Sequence, residues 1–133
     1  MQNLQWSDGP TMEHKRRGHA CTTISGNKDL TGGVIVVGGE YSDDSVEILE
    51  FGSNEWKTVG KSPLAKLYGH TVILASSPEY ILYSVGGAVG YSDYVKGIYG
   101  LTHSYTWTLV GNLTNARRYH TSLNLKQNEI PRC

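Results

Sequence analysis

Cysteine, phenylalanine, excess charge of either sign and long apolar runs are all scarce in this chain of 133 residues. Two cysteines, Cys21 and Cys133, are too few for a disulfide framework and do not set a redox compartment. Twelve basic residues balance twelve acidic ones, so there is no long-range pull on nucleic acid or on an anionic membrane. No apolar run reaches the roughly eighteen residues needed to span a bilayer. The opening MQNLQWSDGP lacks the apolar stretch of a signal peptide. What is abundant is glycine and large β-formers: 16 Gly, 9 Tyr and 3 Trp suit a turn-rich β protein of one domain.

These residues recur on a beat. Trp6, Trp56 and Trp107 lie 50 and 51 residues apart, and His19, His70 and His120 lie 51 and 50 apart. The pairs Gly38-Gly39 and Gly86-Gly87 are 48 apart, and YSDDSVEIL (41–49) aligns with YSDYVKGIY (91–99). Each unit runs in the same order: His, apolar run, Gly-Gly, Tyr-Ser-Asp, apolar run, Trp, then a Pro- or Gly-bearing turn. HACTTI, VIVVGG, SVEILEF and EWKTVG read as four strands of the first unit. HTVILA, YILYSVGG, KGIYGL and YTWTLV read as four of the second. Four short strands in about 50 residues is the signature of a propeller blade.

The repeat assigns structural duties. VIVV is apolar at every position and predicts a strand covered on both faces. The next strand alternates, with Val46, Ile48 and Glu50 on one face and Glu47, Leu49 and Phe51 on the other. The glycine pairs supply positive φ and close packing where a strand ends. A phosphate cradle would need a helix after the glycines, and a strand follows instead. The tryptophans, at one phase of the unit, are expected to pack between neighbouring blades. The repeated His is expected to make a structural hydrogen bond at the start of the first strand. His14, His19 and Cys21 suggest zinc, but a fourth ligand is missing and the other repeats lack a matching cysteine. No metal and no cofactor is implied.

RRGHACTTI, VIVVGG, SVEILEFGSNEW and RRYHTSL resemble kelch repeats over nearly the whole chain. Leu67 departs from the pattern, standing where Arg16 and Arg117 occur, three residues before each His; so does the longer stretch from Gly87 to Trp107. The reading is all-β: a partial kelch-type β-propeller of four-stranded antiparallel blades. Residues 1–10 form an outer strand of a preceding blade, 17–60 and 68–111 two blades, and 117–133 the start of a following one. Such a chain is expected to be a segment that needs further blades from a longer polypeptide.

In this meander, the loops entering the first strand and joining the second to the third share one face. Arg16, Arg17, Tyr41, Asp43, Asp44, Lys66, Tyr68, Tyr91, Asp93, Arg117 and Arg118 gather there, with Tyr94 and Tyr119. Arg and Tyr are enriched in binding hot spots, so these are candidate contacts for a protein or peptide partner. The competing reading is solvated charge and turn capping. The resemblance implies partner binding through this face, with Arg16 and Arg117 at the position that often takes part. Some kelch-like propellers are copper oxidases or act on sugars. No copper site with a cysteine-crosslinked tyrosine can be assembled here, and two blades enclose no central pocket. No G-x-S-x-G hydrolase motif occurs. Asn112-Leu113-Thr114 is a glycosylation acceptor only if the protein is secreted, and the compartment is not readable.

Overall fold

The computed structural model describes residues 5–26 and 31–124. Strands β1 (Ala20–Ile24), β2 (Gly33–Val37), β3 (Ser45–Glu50) and β4 (Trp56–Lys61) form an antiparallel meander in that order. A two-residue strand, β5 (Leu67–Tyr68), leads into β6 (Thr71–Leu74) and β7 (Tyr80–Val85). Two more short strands, β8 (Ala88–Val89) and β9 (Asp93–Tyr94), precede β10 (Gly97–Thr102) and β11 (Trp107–Asn112). The second meander is β6-β7-β10-β11, and β5-β8-β9 make a small third sheet. All pairings are antiparallel, and the described residues contain no helix. The longer stretch in the second unit is therefore not loose: it folds as the β8–β9 hairpin and docks on β5.

The core lies across the two large sheets. Ile24, Ile35, Val37, Val46 and Ile48 of the first cluster with Ile81, Leu82 and Leu101 of the second, and Val59, Val72, Tyr105 and Trp107 close the margin. Burying each aliphatic side chain contributes about 1.5–3 kcal/mol, and this shared core is what joins the sheets. Val36, on the opposite face of β2, is also buried, as an unbroken apolar strand requires. The expected faces hold for 46–48, with Val46 and Ile48 in the core and Glu47 on the other side, but that other side is covered as well. Glu47 is 0% exposed, opposite Val36, while β3 ends at Glu50 and Phe51 is an exposed turn residue.

A backbone clasp repeats between units. The Gly39 amide donates to the Leu67 carbonyl at 2.8 Å, and the Gly69 amide to the Gly18 carbonyl at 2.7 Å. One beat later, the Gly87 amide donates to Arg117 at 2.8 Å and the Tyr119 amide to Gly69 at 2.7 Å. The glycines are required by what crowds them. A Cβ on Gly38 would meet the Leu67 carbonyl at 2.7 Å and His70 Cε1 at 3.2 Å; one on Gly86 would meet Arg117 O at 2.8 Å and His120 Cε1 at 2.9 Å. Each imidazole thus lies over the first glycine of the preceding pair.

Two of the three tryptophans are equivalent. Trp56 Nε1 donates to the Pro10 carbonyl at 2.9 Å and Trp107 Nε1 to the Lys61 carbonyl at 2.7 Å, both 46 residues back. Trp6 is not: residues 5–10 carry no strand and its side chain is fully exposed, so the expected outer strand and inter-blade packing are absent from that part, and the rest of that expected strand, 1–4, lies outside the described residues. At the far end, 121–124 run without a strand, and the rest of that expected start, 125–133, lies outside the described residues.

Candidate functional site

An open groove of about 470 Å³ is lined by Arg17, Gly18, Glu40, Tyr68, Tyr91, Arg118 and Tyr119. Five of these residues, Gly18 among them, stand just ahead of a repeated His, and they come from all three units. Arg17 precedes His19, Tyr68 precedes His70, and Arg118 and Tyr119 precede His120. Tyr91 comes from the β8–β9 turn.

Arg118 is the centre of the aromatic part. Its guanidinium carbon lies 5.7 Å from the Tyr68 ring centroid, 5.1 Å from Tyr94 and 5.4 Å from Tyr119, and its Nη1 donates to the Tyr68 hydroxyl. Tyr68 is buried at its base and its hydroxyl donates to the Gly90 carbonyl at 2.8 Å, tying β5 to the β8–β9 hairpin. The Tyr68 and Tyr119 rings are tilted at 6.2 Å. Stacking of this kind holds the cation in place while leaving its remaining N–H groups available. Arg17 sits over Tyr41 at 5.3 Å and pairs with Glu40.

The rim is exposed and conformationally unusual. Tyr91 is 97% exposed, Tyr41 74% and Tyr119 70%. Tyr41, Asp43, Asp44, Lys66 and Tyr119 all have φ between 51° and 65°, the left-handed region that side-chain-bearing residues avoid. Such conformations persist where surrounding structure holds them, and they collect at functional surfaces. Here Asp44 is one of the holders. Its Oδ1 accepts the Lys66 amide at 2.5 Å and its carbonyl accepts the Ser62 amide at 2.6 Å. Lys61 Nζ donates to the Asp43 carbonyl at 2.7 Å.

The candidate residues therefore separate. Arg17, Tyr68, Tyr91 and Arg118 meet at the groove. Tyr41, through Arg17, and Tyr94, through Arg118, border it. Asp44 clasps a turn; Asp43, Lys66, Asp93 and Arg117 are charged residues outside the groove lining. Asn112 ends β11 with its residue exposed. Glu40 and Gly18 line the groove although no repeat feature singles them out; Glu40's signal is its place directly after the glycine pair.

Arg16 does not belong to a surface. Its side chain is 0% exposed and donates to the carbonyls of Gly38, at 2.7 Å, and Ser45, at 3.0 Å, and to the Glu47 carboxylate. Glu47 also accepts the amides of Glu13 and His14, at 2.9 and 3.2 Å, and faces His14 Nδ1. Burial alone would raise its pKa; the Arg16 hydrogen bond, the Glu13 amide and the Arg16 charge outweigh that and hold it below the ordinary carboxylate value. Residues 13–16 thus cover the outer face of the first sheet through one carboxylate.

The repeated histidines divide on the expected hydrogen bond: His120 Nε2 pairs with Thr71 Oγ1 at 3.2 Å, and His70 does not match it. Neither ring nitrogen of buried His70 makes a hydrogen bond of ordinary geometry. Burial, followed by the neighbouring His19 and His120, pushes its pKa down to about 4, against a smaller opposing effect of the Val37 carbonyl. His19 and His120 are lowered as well, each by burial first and then by Arg16 or Arg117. The steric contact repeats at two of the three: His70 and His120 each carry an imidazole onto a glycine, Gly38 and Gly86.

Compared with known proteins, the chain matches no family model and no curated sequence.

Proposed function

We propose that the chain is a non-catalytic interaction module, a segment of a kelch-type propeller, that binds a partner protein or peptide through the face bearing the Arg17–Tyr68–Tyr91–Arg118–Tyr119 groove. The observation that carries this reading is convergence. Loops from three successive units bring two arginines and three tyrosines to one concave surface, with Tyr119 itself and the bordering Tyr41 held in the left-handed region. Exposed aromatics on rigid supports give contact area at low entropic cost, and a stacked Arg gives directional hydrogen bonds. The kelch resemblance and the repeated strand order point to the same face.

Selection of displayed peptides against the full chain tests it. Selected peptides are expected to lose about tenfold in affinity or more on Tyr91→Ala and on Arg17→Ala, with thermal stability unchanged, as truncation of interface anchors does. Peptides that bind these two variants as well as the parent chain would overturn the reading.

A further inference from the structure

Arg117 occupies the same place in the repeat as Arg16, yet the two differ in surroundings. Arg16 is buried against the Gly38 and Ser45 carbonyls and Glu47. Arg117 is exposed, and among the described residues its side chain reaches only the Asn115 carbonyl, from Nε at 3.4 Å. The backbone around it is already set as in the earlier units. The Arg117 carbonyl accepts the Gly87 amide, as Leu67 accepts Gly39. His120 Cε1 lies over Gly86, as His70 lies over Gly38.

The segment that follows is equally prepared. Thr71 Oγ1 contacts His120 Nε2 and Ser122 Oγ, and Asn124 Nδ2 donates to the Leu74 carbonyl at 2.9 Å, so residues 120–124 run beside β6. In the first unit β1 pairs with β2, and in the second β6 pairs with β7. Among the described residues, 121–124 have no such ladder. Leu123 is 75% exposed, whereas Ile73, one beat earlier, is half-buried. An extended, unladdered segment with an exposed apolar side chain is a template for strand addition.

We propose that residues 117–124 form an acceptor edge for an added β-hairpin of defined chemistry. Its first strand is apolar and ends in Gly-Gly. Its second carries a carboxylate that pairs with Arg117 and becomes buried. The chemistry follows from the occupied examples. The second glycine of each pair sits against the Cβ of its own unit's histidine: a Cβ on Gly39 would meet His19 Cβ at 3.0 Å, and one on Gly87 would meet His70 Cβ at 2.8 Å. A hairpin added at His120 must therefore present a glycine there. Arg16 and Glu47 show where the carboxylate goes. The second unit shows the converse: it has Leu67 at the arginine position and, by strand register, Tyr99 at the carboxylate position, opposite Ser84 as Glu47 is opposite Val36. The edge continues the contact that β1 and β6 already make. The occupant is a partner hairpin patterned like residues 33–50, not a second copy, whose own hairpin is already laddered to β1.

The proposal rests on the repeat and not on the groove. The probe is a fluorescein-labelled peptide of residues 32–50, GGVIVVGGEYSDDSVEILE, titrated into the full chain by anisotropy, alongside its Glu47→Gln version. Binding of the first and at least about tenfold weaker binding of the second is expected, the scale for a buried charge left unpaired. Arg117→Leu should remove that discrimination. Tyr91→Ala, which disables the groove, should leave both affinities unchanged. Amide exchange at 121–124 should slow on binding. Absence of binding, or binding indifferent both to Glu47→Gln and to Arg117→Leu, would overturn the assignment. So would self-association of the free chain that Arg117→Leu abolishes, since the occupant would then be a second copy.

Discussion

Arg16 and Glu47 face one another with no solvent on either side chain, and the second unit has Leu67 and Tyr99 at the same two places. The same position in the repeat is thus filled once by an ion pair and once by a leucine and a tyrosine. Breaking one partner leaves the other as an uncompensated buried charge. Glu47→Gln and Arg16→Met should each destabilise by about 3 kcal/mol, at the low end for buried pairs because the neighbouring His14 is partly exposed. The double change should cost less than the sum, with a coupling of 1 kcal/mol or more by approximate scale, read from urea unfolding. The sequence displays Arg16 and Arg117 in register but not their burial. That depends on a carboxylate on a strand 31 residues away and on what covers it.

His70 gives a pH dependence with a definite sign. Its folded pKa, about 4, lies below the ordinary imidazole value, so the folded state prefers the neutral ring. The stability this contributes is complete above about pH 6.5 and is lost as pH falls towards 4, up to about 3 kcal/mol. Glu47, also depressed, loses its contribution as pH falls as well, but starting only from the ordinary carboxylate value of 4.5 downwards. Stability measured between pH 6.5 and 5 therefore reports on histidine. His70→Leu should flatten that part of the curve; an unchanged slope in that variant would remove His70 as the cause.

At the scale of the element, strand order was legible because each strand is a short apolar run bounded by turn residues. HACTTI, VIVV, SVEILE and EWKTVG became β1 to β4, and the four runs of the second unit became β6, β7, β10 and β11. The β8–β9 hairpin was not, since YSDY carries no strand pattern and is ordered by docking on β5. Trp6 misled for a related reason: a residue type at the right phase forms a strand only if a neighbouring strand pairs with it. The glycine pairs were read correctly as close-packing sites. Gly87 and Gly52 separate conformation from crowding. Both have positive φ, but a Cβ at Gly87 meets His70, Leu67 and Tyr68 within 2.9 Å, and one at Gly52 meets nothing within 4 Å. Gly52→Ala should cost about 1 kcal/mol and Gly87→Ala about 3 kcal/mol or more in chemical denaturation. Equal costs would mean that the crowding contributes nothing.

At the scale of the whole molecule, two meanders share one core, and loops from successive units share one face. Which face gathers the arginines and tyrosines could be deduced from the meander. Which of them touch could not: the stacking of three rings around Arg118 joins β5, β9 and the segment before His120, contacts that no local pattern encodes. Lean between units is the physical basis of everything above, and it is carried by a few backbone bonds. Residue-resolved amide hydrogen exchange on the full chain tests it most directly. The amides of Gly39, Gly69, Gly87 and Tyr119, which reach from one unit to the next, should be protected to the same degree as those of β2 and β7. Exchange of these four at the rate of open loops, with β2 and β7 still protected, would show that the units do not clasp and would contradict the account.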